Sequence, residues 1–147
     1  MMGEPTKKGR LHVLHLRIPA AMLETILRPT GCRNSPEAEA AWRLGAAAVA
    51  IRELRPRGIL PIFKDIDDHR DSPQTKDLHI PLEENDLQLL TDISADEGGS
   101  RGELVRKLLL TTQRIIDECQ SSLNHDGLAA LMIAGFSPVS PVISAEW

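Results

Sequence analysis

Aromatic residues are scarce in this chain of 147 residues: they make up 3% of it, and tyrosine is absent. A core with so few rings has to be built from Leu, Ile, Val and Ala, which favours helices over a β-sandwich or an aromatic-rich barrel. Cysteine is also rare, with only Cys32 and Cys119. Two cysteines are too few for a disulfide scaffold or a zinc cage and fit a reduced, cytoplasmic setting, although the sequence leaves a single bridge between them open.

Long hydrophobic runs are missing as well. The longest, Leu44 to Ile51, is far shorter than the roughly 20 residues that cross a bilayer as a helix. The segment 1–10 is polar and basic and lacks the apolar stretch of a secretory signal. We therefore expect no membrane association. The content of 41% hydrophobic and 26% charged residues is typical of one compact domain, or of two very small ones that share a core.

Charge is distributed unevenly along the chain. Residues 1–58 hold ten Lys and Arg against five acids, whereas residues 59–147 hold seven against sixteen. A basic half can bind phosphate, but an acidic half cannot do so over its whole surface. With a formal net charge of −4, charge alone does not identify a nucleic-acid binder.

The sequence carries two copies of one pattern. Arg17-Ile18-Pro19 and His79-Ile80-Pro81 each close a short extended run, and each is followed by an amphipathic segment, a polar break and a longer apolar-periodic segment. A pattern that recurs in the same order predicts a repeated structural unit. We interpret it as strand-helix-helix, twice.

In the first copy, apolar and polar residues alternate from Val13 to Ile18, which predicts a β-strand with one aliphatic face. Pro19 suits the first position of the helix that follows. Asn34 or Ser35 then caps a second, alanine-rich helix that ends at about Leu54.

In the second copy, the same alternation predicts a strand that closes at Pro81. A helix over Glu83–Glu97 follows, and the pair Gly98-Gly99 ends it. Ser100 and Glu103 have the spacing of a capping box and predict the start of a long helix with an apolar stripe.

These patterns divide the chain into five segments. They are a basic arm over 1–10, a first unit over 11–54, a connector over 55–74, a second unit over 75–122 and a C-terminal segment over 123–147. The apolar residues between Ile59 and Phe63 in the connector are expected to pack on the body. The last segment is expected to hold a short helix over His125–Ala134, with Gly135 as its stop signal.

Strand, proline, helix, glycine-containing turn and serine-capped helix resemble the ribbon-helix-helix family, the Arc/MetJ-type repressors. The resemblance rests on residues 15–19, 78–81 and 99–104 and covers roughly 12–54 and 75–121. It implies a mainly α fold with a two-stranded antiparallel β-ribbon, in which two fused units form an intramolecular pseudo-dimer. Tethering would make assembly independent of protein concentration. The sequence leaves open whether two such pseudo-dimers associate on DNA.

The resemblance also implies double-stranded DNA as the partner, with the ribbon in the major groove. The matching base-contacting positions are Val13, His15, Arg17, Thr75, Asp77 and His79. Arg17 suits a bidentate contact to guanine, whereas Asp77 beside phosphates is unfavourable and departs from the family pattern. Because the two strands differ, an asymmetric or quasi-symmetric DNA site is expected.

The family further captures phosphates at the N-termini of its long helices, where free N–H groups and the helix dipole favour an anion. The matching or neighbouring phosphate-contacting positions are Lys7, Lys8, Arg10, Arg33, Asn34, Ser35, Ser100, Arg101 and Gly102. Pro36 removes one N–H and weakens the first of these sites.

The resemblance suggests a transcriptional repressor or an accessory factor of plasmid or T-DNA transfer. We expect no enzyme, because no glycine-rich phosphate loop, Ser/His/Asp spacing or paired-carboxylate frame stands out. We expect no cofactor and no metal, because His12 and His15 point to opposite faces of a strand. The alternative is a protein-interaction module that binds a relaxase or a toxin, which the acidic second half, Asp77 and the apolar run Leu128 to Ile133 favour.

Overall fold

The computed structural model describes residues 11–26, 35–66, 74–119 and 125–137. Two strands and five α-helices follow one another in these ranges. They are β1 (Leu11–Pro19), α1 (Ala20–Ile26), α2 (Pro36–Leu54), β2 (Thr75–Glu83), α3 (Glu84–Glu97), α4 (Arg101–Cys119) and α5 (His125–Phe136), with a 3-10 turn at Arg55–Arg57. The two strands form one antiparallel sheet, so the predicted class, mainly helical with a two-stranded antiparallel β-ribbon, is confirmed.

The ribbon has one buried and one exposed face. His15 lies opposite His79, and Arg17 lies opposite Asp77. The side chains that point inward are all aliphatic and at most 3% exposed: Leu14, Leu16, Ile18, Leu78, Ile80 and Leu82. A two-stranded ribbon is marginal by itself in water, so this aliphatic face holds it to the helices.

The two strand-helix segments are offset along the chain by a different number of residues from the 62 that the two Ile-Pro pairs give (81 − 19). They begin at Leu11 and Thr75, and the helices after them begin at Ala20 and Glu84, a separation of 64 residues in both cases (75 − 11 and 84 − 20). Pro19 ends β1, but β2 continues past Pro81 to Glu83. A proline is tolerated there because both strands of this ribbon are edge strands. Aligning the two Ile-Pro pairs was therefore wrong by two residues.

Serine caps start both long helices, as predicted. The Ser35 hydroxyl accepts the N–H of Ala38 at 3.0 Å, and the Ser100 hydroxyl accepts the N–H of Glu103 at 3.0 Å. Between the helices of the second unit, Gly98 has φ 81°, a left-handed conformation that favours glycine. Each hydroxyl satisfies an N–H that the first helical turn leaves without an intrahelical partner.

The two halves interlock. Helix α2 packs on β2, α4 packs on β1, and the two long helices cross each other. Each long helix thus covers the strand of the other half, and a single cluster of buried aliphatic side chains runs through both. The elements of both halves of the described chain therefore contribute to one core.

A buried ion pair lies where α2 faces α4. Glu39 is 0% and Arg43 is 1% exposed, and Nε of Arg43 donates to Oε2 of Glu39 at 2.9 Å. Nη1 of Arg43 also donates to Oε1 of Gln113 at 2.6 Å, and Nε2 of Gln113 donates to Asp117 at 2.7 Å. The sequence pattern did not single out this pair.

The connector and α5 close the opposite side of the core. Leu60, Ile62 and Phe63 pack on it, as predicted. Helix α5 packs on α2 and α4 and runs to Phe136, so the prediction that Gly135 stops it is wrong. The ring of Phe136 lies 4.9 Å from that of Phe63, and this contact favours two more helical residues over the cost of a helical glycine.

Candidate nucleic-acid interface

The six residues predicted to contact bases lie on one surface. Val13, His15, Arg17, Thr75, Asp77 and His79 are all exposed. They alternate with buried residues along the strands, except that the exposed Lys76 separates Thr75 from Asp77. The register orders this outer face into three central rungs: Val13 opposite Pro81, His15 opposite His79 and Arg17 opposite Asp77. Pro81 was not predicted as a member of this face, because the sequence pattern closed the strand at that proline, whereas β2 continues to Glu83.

The central rung is a pair of imidazoles. The rings of His15 and His79 have centroids 4.4 Å apart and an angle of 51° between their planes. The two residues are 64 positions apart in the sequence (79 − 15), so only the pairing of β1 with β2 brings them together. Each ring can donate and accept a hydrogen bond from the exposed face.

The next rung is an ion pair. Nε of Arg17 lies 3.5 Å from Oδ1 of Asp77, and the two side chains are 72% and 65% exposed. Such an exposed pair contributes roughly 0–1 kcal/mol, so the guanidinium can exchange Asp77 for another acceptor at little cost. Within this rung the two formal charges cancel each other.

Helix α4 begins beside the ribbon. A side chain at Gly102 would place its Cβ 3.8 Å from Cδ1 of Leu16, so the first turn of α4 lies against β1. Arg106 strengthens this contact, because its Nη1 donates to the carbonyl oxygen of Arg17 at 3.1 Å. The exposed face of β1 and the N-terminus of α4 are thus fixed relative to each other.

The predicted phosphate contacts fall into two groups. Ser35 and Ser100 use their hydroxyls as helix caps, and Arg101 donates to the hydroxyl of Thr91 at 3.1 Å, toward α3. These bonds leave the backbone N–H groups of the first turns as the main feature that favours an anion. Gly102 lies in the first turn of α4. The remaining predicted positions lie outside the described residues: Lys7, Lys8, Arg10, Arg33 and Asn34.

Away from the ribbon, an ion pair joins the connector to α4 and stabilises the fold. Two N–H groups of Arg114 donate to the Asp65 carboxylate at 3.0 and 3.3 Å, and the guanidinium carbon lies 4.4 Å from the Phe63 ring centroid. The hydrogen bond from Arg114 holds the pKa of Asp65 below its usual value.

Across the described ranges, no three His, Cys, Asp or Glu side chains converge in a way that could hold a metal ion.

The helices of the described segments include none that is long and apolar enough to cross a membrane. Compared with protein-family models, with curated proteins and with solved structures, the chain has no match.

Proposed function

We propose that this chain binds double-stranded DNA through the outer face of the β1–β2 ribbon, as a tandem ribbon-helix-helix protein. One observation carries the proposal: two strands from distant parts of the chain pair into one ribbon, whose inner face is aliphatic and whose outer face is polar and exposed. The major groove, about 12 Å wide, admits a two-stranded ribbon of this kind.

Arg17 is the residue best suited to read a base. Its pairing with Asp77 is long and exposed, so the guanidinium can turn to O6 and N7 of a guanine. His15 and His79 supply further donors and acceptors at the centre of the ribbon. Asp77 can accept a hydrogen bond from the amino group of a cytosine. That cytosine would be the base paired with the guanine that Arg17 contacts.

The N-termini of α2 and α4 are the proposed phosphate sites. The first turn of α4 lies against β1, so an anion bound there would border the ribbon. The basic residues Lys7, Lys8 and Arg10 would add affinity that depends on salt, because each phosphate contact releases counterions.

The two halves would act as one pseudo-dimer that reads an asymmetric site. The 64-residue separation relates Val13 to Asp77 and Arg17 to Pro81, which differ, whereas the central His15 and His79 are identical. The matching roles are a repressor or an accessory factor at a plasmid or T-DNA transfer origin, in the cytoplasm.

Selection of bound duplexes from a random pool tests this proposal. We expect one enriched, non-palindromic sequence, with an affinity that falls as salt increases. Arg17→Ala should lower affinity for that sequence by about 10- to 100-fold, the usual worth of a bidentate base contact, and should leave non-specific binding nearly unchanged.

Arg57→Ala is the matched control. Arg57 is 51% exposed and paired with Glu53 at 3.1 Å, so it resembles Arg17 in exposure and pairing but lies in the turn after α2. It should bind like the wild type. Failure to enrich any sequence, or equal losses in the Arg17 and Arg57 variants, would contradict the proposal.

A protein-interaction module is the second candidate, and the Arg17–Asp77 pair favours it. That pair neutralises the charge of Arg17, and Val13 on the same face is 53% exposed. Such a face suits a relaxase or a toxin as partner. The apolar run Leu128–Ile133 offers less support than its sequence suggested, because Leu128, Ala129 and Met132 are buried.

A further inference from the structure

We propose that His15 and His79 form a binding site for a divalent transition-metal ion of the Cu²⁺ or Ni²⁺ type on the outer face of the ribbon. Neutral imidazole is a common protein ligand for these ions. The two rings lie directly opposite each other on β1 and β2, and both are exposed. Metal binding here does not require the proposed DNA binding, although both would use the same two side chains at the centre of the ribbon.

The distance between the rings fits two ligands on one ion. A metal at about 2.0–2.1 Å from a ring nitrogen lies about 3.1–3.2 Å from the ring centroid. Two rings held at a right angle at the metal then have centroids about 4.5 Å apart, and two rings at a tetrahedral angle about 5.1 Å. The observed centroid separation of 4.4 Å permits the right angle once each ring turns one nitrogen toward the ion. Square-planar and tetragonal sites, which have that angle, are typical of Cu²⁺ and Ni²⁺.

The surroundings admit a cation. Arg17 and Asp77 occupy the adjacent rung, and their opposite charges cancel. The rung on the other side holds Val13 and Pro81, which are uncharged. Both imidazoles stand on the face turned to solvent, so water can complete the coordination without displacing a core side chain.

Metal binding at this site would be coupled to folding. The two ligands come from segments 64 residues apart, and the paired ribbon holds them within reach of one ion. An ion that binds the folded chain and not the unfolded one raises the midpoint of thermal unfolding. This gives a second readout besides direct binding.

The test is a Cu²⁺ titration of the full chain, with glycine as competing chelator, followed by electron paramagnetic resonance. We compare the wild type with His15→Gln, His79→Gln and His12→Gln. His12 is the matched control, because it belongs to β1 but lies 3.7 Å from Glu84, away from the pair. The cysteines and the N-terminal amine are present in all four proteins, so their contributions cancel.

We expect nitrogen splitting from two imidazoles in the wild type and in His12→Gln, and from one in the other two variants. Loss of either ligand should lower the Cu²⁺ affinity by about 10-fold or more. The metal-induced rise in the unfolding midpoint should disappear with it. The proposal is overturned if His15→Gln and His79→Gln keep the wild-type spectrum and affinity, or if His12→Gln loses as much as they do. No DNA is present, so this result stands apart from the duplex selection.

Discussion

At the residue scale, the effect of the Glu39–Arg43 ion pair on stability depends on its burial. Both side chains are essentially inaccessible to water, and Gln113 from α4 accepts a further hydrogen bond from the guanidinium. Charges removed from water are stabilised only while they remain paired. The pair therefore fixes how α2 meets α4 more than it adds net stability.

Removing one partner should be much worse than removing both. We expect Arg43→Met to lower the free energy of unfolding by about 3–5 kcal/mol, because it leaves the Glu39 carboxylate buried without its partner. The double variant Glu39→Leu/Arg43→Met should lie within about 1–2 kcal/mol of the wild type. Urea unfolding of the three variants and the wild type measures this, and a loss below about 1 kcal/mol for Arg43→Met would contradict the burial of the pair.

Asp65 provides a prediction about pH. Its pKa is lowered in the folded protein, chiefly by the hydrogen bond from Arg114, relative to the ordinary value of 3.8. A lowered pKa stabilises the folded state above that ordinary value, and the contribution is lost as the pH falls through the folded pKa. We expect Asp65→Asn to be less stable than the wild type at neutral pH and the difference to fade below pH 3.8. Thermal unfolding over a pH series checks this; a difference that persisted unchanged in acid would rule it out.

At the element scale, local signals predicted most starts of helices and strands but not all of their ends. The Ser35 and Ser100 caps and the alternation in both strands are set by neighbouring residues, so the sequence shows them directly. The end of α5 is different, because the contact of Phe136 with the distant Phe63 decides it. The register of β2 against β1 is likewise set by pairing across the chain.

Two glycines provide a matched test of these ends. Gly135 lies inside α5, and an added Cβ there meets nothing within 4 Å, whereas Gly98 has a φ of 81° after α3. Gly135→Ala should raise the free energy of unfolding by about 0.5–1 kcal/mol, because alanine favours the helix. Gly98→Ala should lower it by about 1–2 kcal/mol, because the left-handed conformation is strained for alanine. Unfolding curves of both variants measure the two changes, and the same sign for both would contradict the assigned ends.

At the scale of the whole molecule, the pairing of β1 with β2 brings the outward residues of two distant segments onto one surface. The sequence predicted which strand residues point outward, since alternation alone decides this. It could not predict the rungs, nor the burial of Glu39 and Arg43, because both depend on how residues far apart in the chain meet. The outer face, the His15–His79 pair and the placement of α4 beside β1 all follow from that meeting.

The most direct test of the central proposal is a nuclear magnetic resonance titration of the isotope-labelled full chain with duplex DNA. We expect the largest shift changes at the outward residues of β1 and β2, including His15, Arg17 and His79, and at the first turns of α2 and α4. Helix α5 and the segment Leu60–Phe63 should change little. Changes concentrated in α5 or in that segment, with the ribbon unaffected, would contradict the account.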